Sequence, residues 1–166
     1  GETEIYLAGF SVGGLAATET ARLLQRQNIR VKELFIVDTI LLTMPKIGLW
    51  CWKLLSIWLT KAGNRGQRFF PKSLAGTIKD RGLFMQVNAM NTHEIQPYHG
   101  DAVLLKSSAY RYLQTWLLGR WRTLIKPQPA EYQIETSHSR FFEPGNVEQL
   151  AKILKLRITN NHSNRS

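Results

Sequence analysis

Glu4-Ile5-Tyr6-Leu7-Ala8-Gly9-Phe10-Ser11-Val12-Gly13-Gly14-Leu15 is a short apolar run that ends on glycine, turns through a serine and leads into helical periodicity. A strand buried on both faces of a parallel sheet requires such a run. From Gly13 to Gln27, Leu15, Thr18, Ala21 and Leu24 or Leu23 recur at helical spacing, and Asn28 is the expected stop. Leu34-Phe35-Ile36-Val37-Asp38 is a second buried-strand run, closed by an acid. Strand, sharp turn, helix and strand predict a right-handed βαβ unit, and so an α/β fold.

Outward from this unit the character changes. Residues 39–97 hold Trp50, Trp52 and Trp58 on an apolar, helix-like stretch, then a Gly/Asn/Arg-rich break and a second mixed stretch. That length is too great for an ordinary connection and predicts a helical insertion, or lid. The α/β pattern resumes with Ala102 to Ser108 as a third strand, introduced by the turn Pro97-Tyr98-His99-Gly100-Asp101. A short helix is expected over Gly119 to Ile125, a fourth strand over Tyr132 to Thr136, and a C-terminal helix over Val147 to Leu156. The polar stretch 159–166 reads as a disordered tail. The expected architecture is one domain over 1–166: a mostly parallel sheet of about four strands, helices on both faces, and the lid insertion.

Composition narrows the classes. The chain has 166 residues, 43% of them hydrophobic, enough for one core. One cysteine, Cys51, excludes a disulfide framework and a cysteine-rich metal site, and the expectation is a reducing, cytoplasmic compartment with no metal. The most apolar run, Ile47 to Leu59, is interrupted by Lys53 and falls short of the ~20 residues of a membrane span. Lysine and arginine total 22 against 12 acidic residues, a net charge of +10. The basic residues are dispersed and accompany no nucleic-acid motif, so an acidic protein partner is expected rather than nucleic acid.

Gly9-Phe10-Ser11-Val12-Gly13 is a G-x-S-x-G string. The bare string fits a structural glycine turn as well as a nucleophile elbow; between a strand and a helix, the elbow is favoured. On such a turn the serine sits among neighbours without bulk, here Gly9 and Gly13, and its Oγ is pushed out above the carboxyl ends of the strands. The Val12 amide, at the start of the following helix, can donate to a developing oxyanion. A serine needs a base and an orienting acid. Asp38 closes the next strand and so shares a sheet edge with Ser11, although a capping or turn aspartate is also common there. Of the four histidines, only His138 follows a strand end in the chain order Ser, Asp, His.

The stretch Ile5 to Ala16, then Phe35-Ile36-Val37-Asp38-Thr39, resembles the type I thioesterase family of the α/β-hydrolase superfamily. These domains end polyketide, non-ribosomal peptide and fatty-acid synthases, and have stand-alone editing relatives. The turn Pro97 to Leu105 and the segment His138 to Phe142, with Pro144 and the helix after it, resemble later parts of that family. The resemblance implies Ser11 as acyl-accepting nucleophile, His138 as general base and then acid, and Asp38 as orienter. It implies no bound cofactor; the substrate is an acyl or peptidyl thioester on the phosphopantetheine arm of a carrier protein. Trp50, Trp52 and Trp58 then either line a lid over the acyl channel or only pack the insertion against the sheet. The chain is expected to be the C-terminal two-thirds of such a domain, without its first strands and the second oxyanion-hole amide of its early loop. An esterase or lipase with the same triad, or a non-catalytic partner-binding remnant, are the alternatives.

Overall fold

The computed structural model describes residues 4–41, 95–108 and 120–163. Contacts divide the chain into two compact units, Gly1–Ile40 with Pro97–Ser166, and Leu41–Gln96. Nearly all of the second unit lies outside the described residues, and so do Trp50, Trp52 and Trp58 and almost all of the expected insertion.

Within the first unit, β1 (Ile5–Phe10), β2 (Val31–Val37), β4 (Ala102–Ser107) and β6 (Ala130–Ile134) form one sheet in that order, every neighbouring pair parallel. β3 (Tyr98–His99) and β5 (Ile125–Lys126) pair separately, also in parallel. The mostly parallel four-strand sheet of the sequence reading is therefore present. Several boundaries moved, and the fourth strand, expected over Tyr132 to Thr136, spans Ala130–Ile134. β2 begins at Val31 and not Leu34, because the charged Lys32 and Glu33 interrupt the apolar run without interrupting the strand. Residues 120–124 are helical, but Ile125 leaves the expected helix to pair with Tyr98.

Side chains alternate across the sheet. Phe35, Val37, Val103, Leu105 and Ile134 form one cluster with Phe141 and Leu150, and Ile153, Leu154 and Ile158 pack against it. Those last four aliphatic residues lie on α2 (Asn146–Ser163), which therefore covers this face. Ile36, pointing the other way, faces the start of α1 (Val12–Arg26), where a Cβ on Gly14 would stand 3.1 Å from its methyl carbon. Helices thus cover both faces. Burying each large side chain of this core contributes roughly 1.5–3 kcal/mol.

α1 forms because Gly14, Leu15, Ala17, Thr18 and Ala21 make one buried stripe at helical spacing. Of the two leucines expected on that stripe, Leu23 is exposed. The helix stops where Asn28 takes a left-handed φ of 58°. Its amide donates to Gln25 O at 3.0 Å and the Ile29 amide to Leu24 O at 2.9 Å, the paired bonds of a Schellman cap. α2 runs on to Ser163, past Leu156 and into the stretch that composition marked as a disordered tail. Asparagine, threonine and histidine there are weak helix formers, yet nothing after Gly145 breaks a helix once it is packed.

The α2 face also carries a charge. Glu33 is fully buried on β2 and accepts from Arg157 of α2, with Nε at 2.9 Å. That bond is the leading reason why the guanidinium holds its proton more tightly than usual. A buried carboxylate needs such a partner, which explains how Glu33 sits inside a strand core.

Candidate active site

β1 delivers the chain to Ser11 at the carboxyl edge of the sheet. Ser11 has φ 54° and ψ −126°, a backbone that non-glycine residues avoid, at a cost on the order of 1–3 kcal/mol. Several contacts hold it. Its amide donates to Val37 O at 2.9 Å, and its carbonyl accepts from the Gly14 amide at 3.1 Å and from the Thr39 hydroxyl at 2.7 Å.

The turn is closed so tightly that a Cβ on Gly9 would lie 2.0 Å from the Gly13 carbonyl oxygen. One expectation about this turn is corrected. Gly13 itself has open space where a Cβ would go, whereas a Cβ on Gly14 would meet the Thr39 hydroxyl oxygen at 2.0 Å. The crowded positions are Gly9 and Gly14; Gly13 matters there through its backbone.

Asp38 follows β2 directly, with φ 46° and a side chain 2% exposed. Its own amide donates to Leu105 O at 2.6 Å. Its Oδ1 accepts from the Ser107 amide at 2.8 Å, and its Oδ2 faces His138 Nδ1 at 2.7 Å. Since the carboxylate is an acceptor, Nδ1 carries the hydrogen, which leaves the Nε2 lone pair of a neutral imidazole available. One hundred residues of chain separate these two side chains.

His138 opens a short 3-10 helix, His138–Arg140, and its side chain is about one-third exposed. The loop is held at several points. Phe141 is fully buried in the core beneath α2. Asn146 Nδ2 donates to Thr136 Oγ1 and to Arg140 O, each at 2.9 Å. The imidazole also lies face to face on the ring of Phe10, centroids 4.7 Å apart and planes 17° apart. The residue before Ser11 therefore touches the histidine that Asp38 holds. Among the described residues no hydrogen bond joins Ser11 Oγ to His138; such a bond commonly tightens only on a bound substrate.

Val12 is the first residue of α1, beside Ser11, where helix amides lack intrahelical partners. Thr39, Phe10 and the Ser107 amide are contributors that the sequence reading did not single out. Phe10 was visible as the variable residue of the motif; the Ser107 amide left no sequence signal. Next along the chain from His138, a polar cavity of about 490 Å³ is lined by Ser108, Thr136, Ser137, Arg140 and Asn146 among others. Among the described residues no cluster of three or more histidine, cysteine or acidic side chains is placed to hold a metal ion, and no helix is long and apolar enough to cross a membrane.

No protein-family model matches the chain, and no curated protein matches it in sequence. Solved structures do. The NocB thioesterase domain from the nocardicin cluster superposes with a TM-score of 0.65 at 19% identity, covering 95% of this chain and 66% of that one. The thioesterase domain SrfTE, described for cyclisation of the lipopeptide antibiotic surfactin, gives 0.61 at 18%, covering 95% and 67%. The Vlm2 thioesterase domain bound with a dodecadepsipeptide gives 0.59 at 18%, covering 92% and 69%. The chain thus has a type I thioesterase-like α/β-hydrolase fold and spans about two-thirds of the length of these domains.

Proposed function

We propose that this chain carries the catalytic core of a serine thioesterase acting on an acyl or peptidyl thioester borne by the phosphopantetheine arm of a carrier protein. The observation that carries the reading is the Asp38–His138 pair, stacked on the residue that precedes a strained serine turn. The neighbours in fold support the substrate class: one is bound with a dodecadepsipeptide and another cyclises a lipopeptide. The net charge of +10 complements an acidic carrier.

In this reading Ser11 Oγ attacks the thioester carbonyl carbon as His138 Nε2 takes its proton. The buried Asp38 carboxylate stabilises the imidazolium and keeps Nδ1 toward itself. Negative charge collects on the carbonyl oxygen, where the Val12 amide and the positive end of α1 offset it. The tetrahedral species collapses with cleavage of the carbon–sulfur bond, and His138 returns the proton to the leaving thiolate. Water, or a nucleophile within the acyl chain, then attacks the acyl-Ser11 ester. His138 accepts its proton and delivers it to Ser11 Oγ as the ester bond breaks.

Incubation of the natural full-length protein with a fluorophosphonate, followed by peptide mass spectrometry, tests the assignment. The adduct is expected on Ser11; an adduct elsewhere, or none, rejects it. Faster turnover of a carrier-bound thioester than of a matching oxygen ester supports the substrate class, and the reverse order points to an esterase.

A further inference from the structure

The Asp38 bond fixes His138 at one point only. A single in-plane hydrogen bond at Nδ1 leaves the imidazole able to pivot about that contact, and a base that pivots loses its aim at the serine. A second constraint on the ring plane is present, and it comes from Phe10.

Resting on the proposed function, we infer that Phe10 is a positioning residue that sets the plane of His138 and couples it to the serine turn. The two rings are nearly parallel, 17° apart at 4.7 Å, an attractive geometry that also blocks rotation of the imidazole out of its plane. Phe10 is itself clamped. Phe142 meets it edge-on, with centroids 4.8 Å apart and planes at 74°, and the fully buried Phe141 packs against it at 5.7 Å. Its backbone closes β1, paired with Val37 in the register that carries Asp38 one residue on. Any displacement of the elbow therefore moves the surface on which the histidine rests, so nucleophile and base shift together.

Two measurements on the full-length protein separate this inference from the thioesterase reading. In the unmodified chain, nuclear Overhauser contacts between the His138 and Phe10 rings are expected, with the His138 ring protons shifted upfield by the phenyl ring current. Assignment follows from their loss in His138→Gln. Absence of these contacts overturns the inference whether or not the protein is an enzyme. In Phe10→Leu the ring protons are expected to move downfield and kcat to fall about ten-fold with KM nearly unchanged, while Phe10→Tyr keeps both near the unmodified values. Equal loss in Phe10→Leu and Phe10→Tyr, or a change confined to KM, overturns the positioning role. Failure of the unmodified chain to acylate at Ser11 rejects the thioesterase reading instead, and the ring contacts still decide whether Phe10 holds the histidine.

Discussion

The hydroxyl of Thr39 donates to the carbonyl oxygen of Ser11 at 2.7 Å, so the residue after the candidate acid ties down the turn that carries the candidate nucleophile. Thr39 is itself fixed, because its carbonyl accepts from Trp121 Nε1 at 2.8 Å and the indole is fully buried. The strain at Ser11 persists only while such contacts over-determine it.

Thr39→Val keeps the volume and removes the donor. The expected cost is about 1 kcal/mol of stability, for one lost hydrogen bond to a part-buried acceptor. Because Ser11 then relaxes, the rate of fluorophosphonate labelling should drop about ten-fold, more than the stability change alone explains. Denaturant titration alongside labelling kinetics checks both; unchanged labelling refutes the coupling.

The three glycines around the elbow should separate cleanly. Gly9→Ala drives a methyl into the Gly13 carbonyl, and Gly14→Ala drives one into the Thr39 hydroxyl. Each should cost about 1–3 kcal/mol or more through overpacking, the former with loss of labelling. Gly13→Ala meets open space inside α1 and should be neutral or stabilising by up to about 1 kcal/mol. Thermal melts of the three variants decide it. A Gly13→Ala protein as damaged as Gly9→Ala contradicts this account of the turn.

What the sequence exposed and what it hid differ for physical reasons. The parallel sheet was readable because Leu34–Val37 and Ala102–Leu105 are apolar runs between turn residues, and both strands are buried as the centre of a parallel sheet requires. Ile5–Leu7 is equally apolar, but β1 stands at the end of the described strand order and none of its residues is buried, so the expectation of a fully buried strand there is corrected. Glu33 was not, because its place in a strand core depends on Arg157, far along the chain. Asp38 and His138 were singled out by strand-end position and chain order, and the structure places them 2.7 Å apart. The Ser107 amide and the Thr39 hydroxyl are contacts of backbone and geometry, with no pattern in the residue types to announce them.

Acid should weaken the sheet at a second charge cluster. Glu131 on β6 accepts from Arg122 and from Lys106 Nζ at 2.7 Å. The Arg122 bond, chiefly, holds its carboxyl down at about 2 from the ordinary 4.5, against the opposing effect of burial. A depressed folded-state value means the contribution is complete above about 4.5 and is lost as pH falls from there toward 2. Glu131→Gln should therefore melt below the unmodified protein at pH 7 and converge with it near pH 2. Solvent screening keeps the difference at or below about 1 kcal/mol. Parallel melting curves across that window test it, and a gap that persists at low pH rejects an electrostatic origin.

Asp38→Asn bears most directly on the chemistry. The amide is nearly isosteric, and its oxygen can still accept from the Ser107 amide where Oδ1 does now. Its nitrogen then faces His138 Nδ1 as a donor, where Oδ2 now accepts. The imidazole must answer with a bare Nδ1 and a hydrogen on Nε2, the tautomer that cannot take the serine proton. The carboxylate that would stabilise the imidazolium is also gone. Together these effects should lower kcat by roughly 10³–10⁴, the scale known for triads whose acid is neutralised with geometry kept. KM should change little, because the side chain is 2% exposed and sits behind the histidine, away from any substrate. Stability should fall by only about 1–2 kcal/mol, since one of its two hydrogen bonds is kept and the other is replaced. Steady-state turnover of a carrier-bound thioester, paired with a melt of the same preparation, measures all three. A loss below ten-fold with the fold intact would mean that His138 does not act as the base through Asp38.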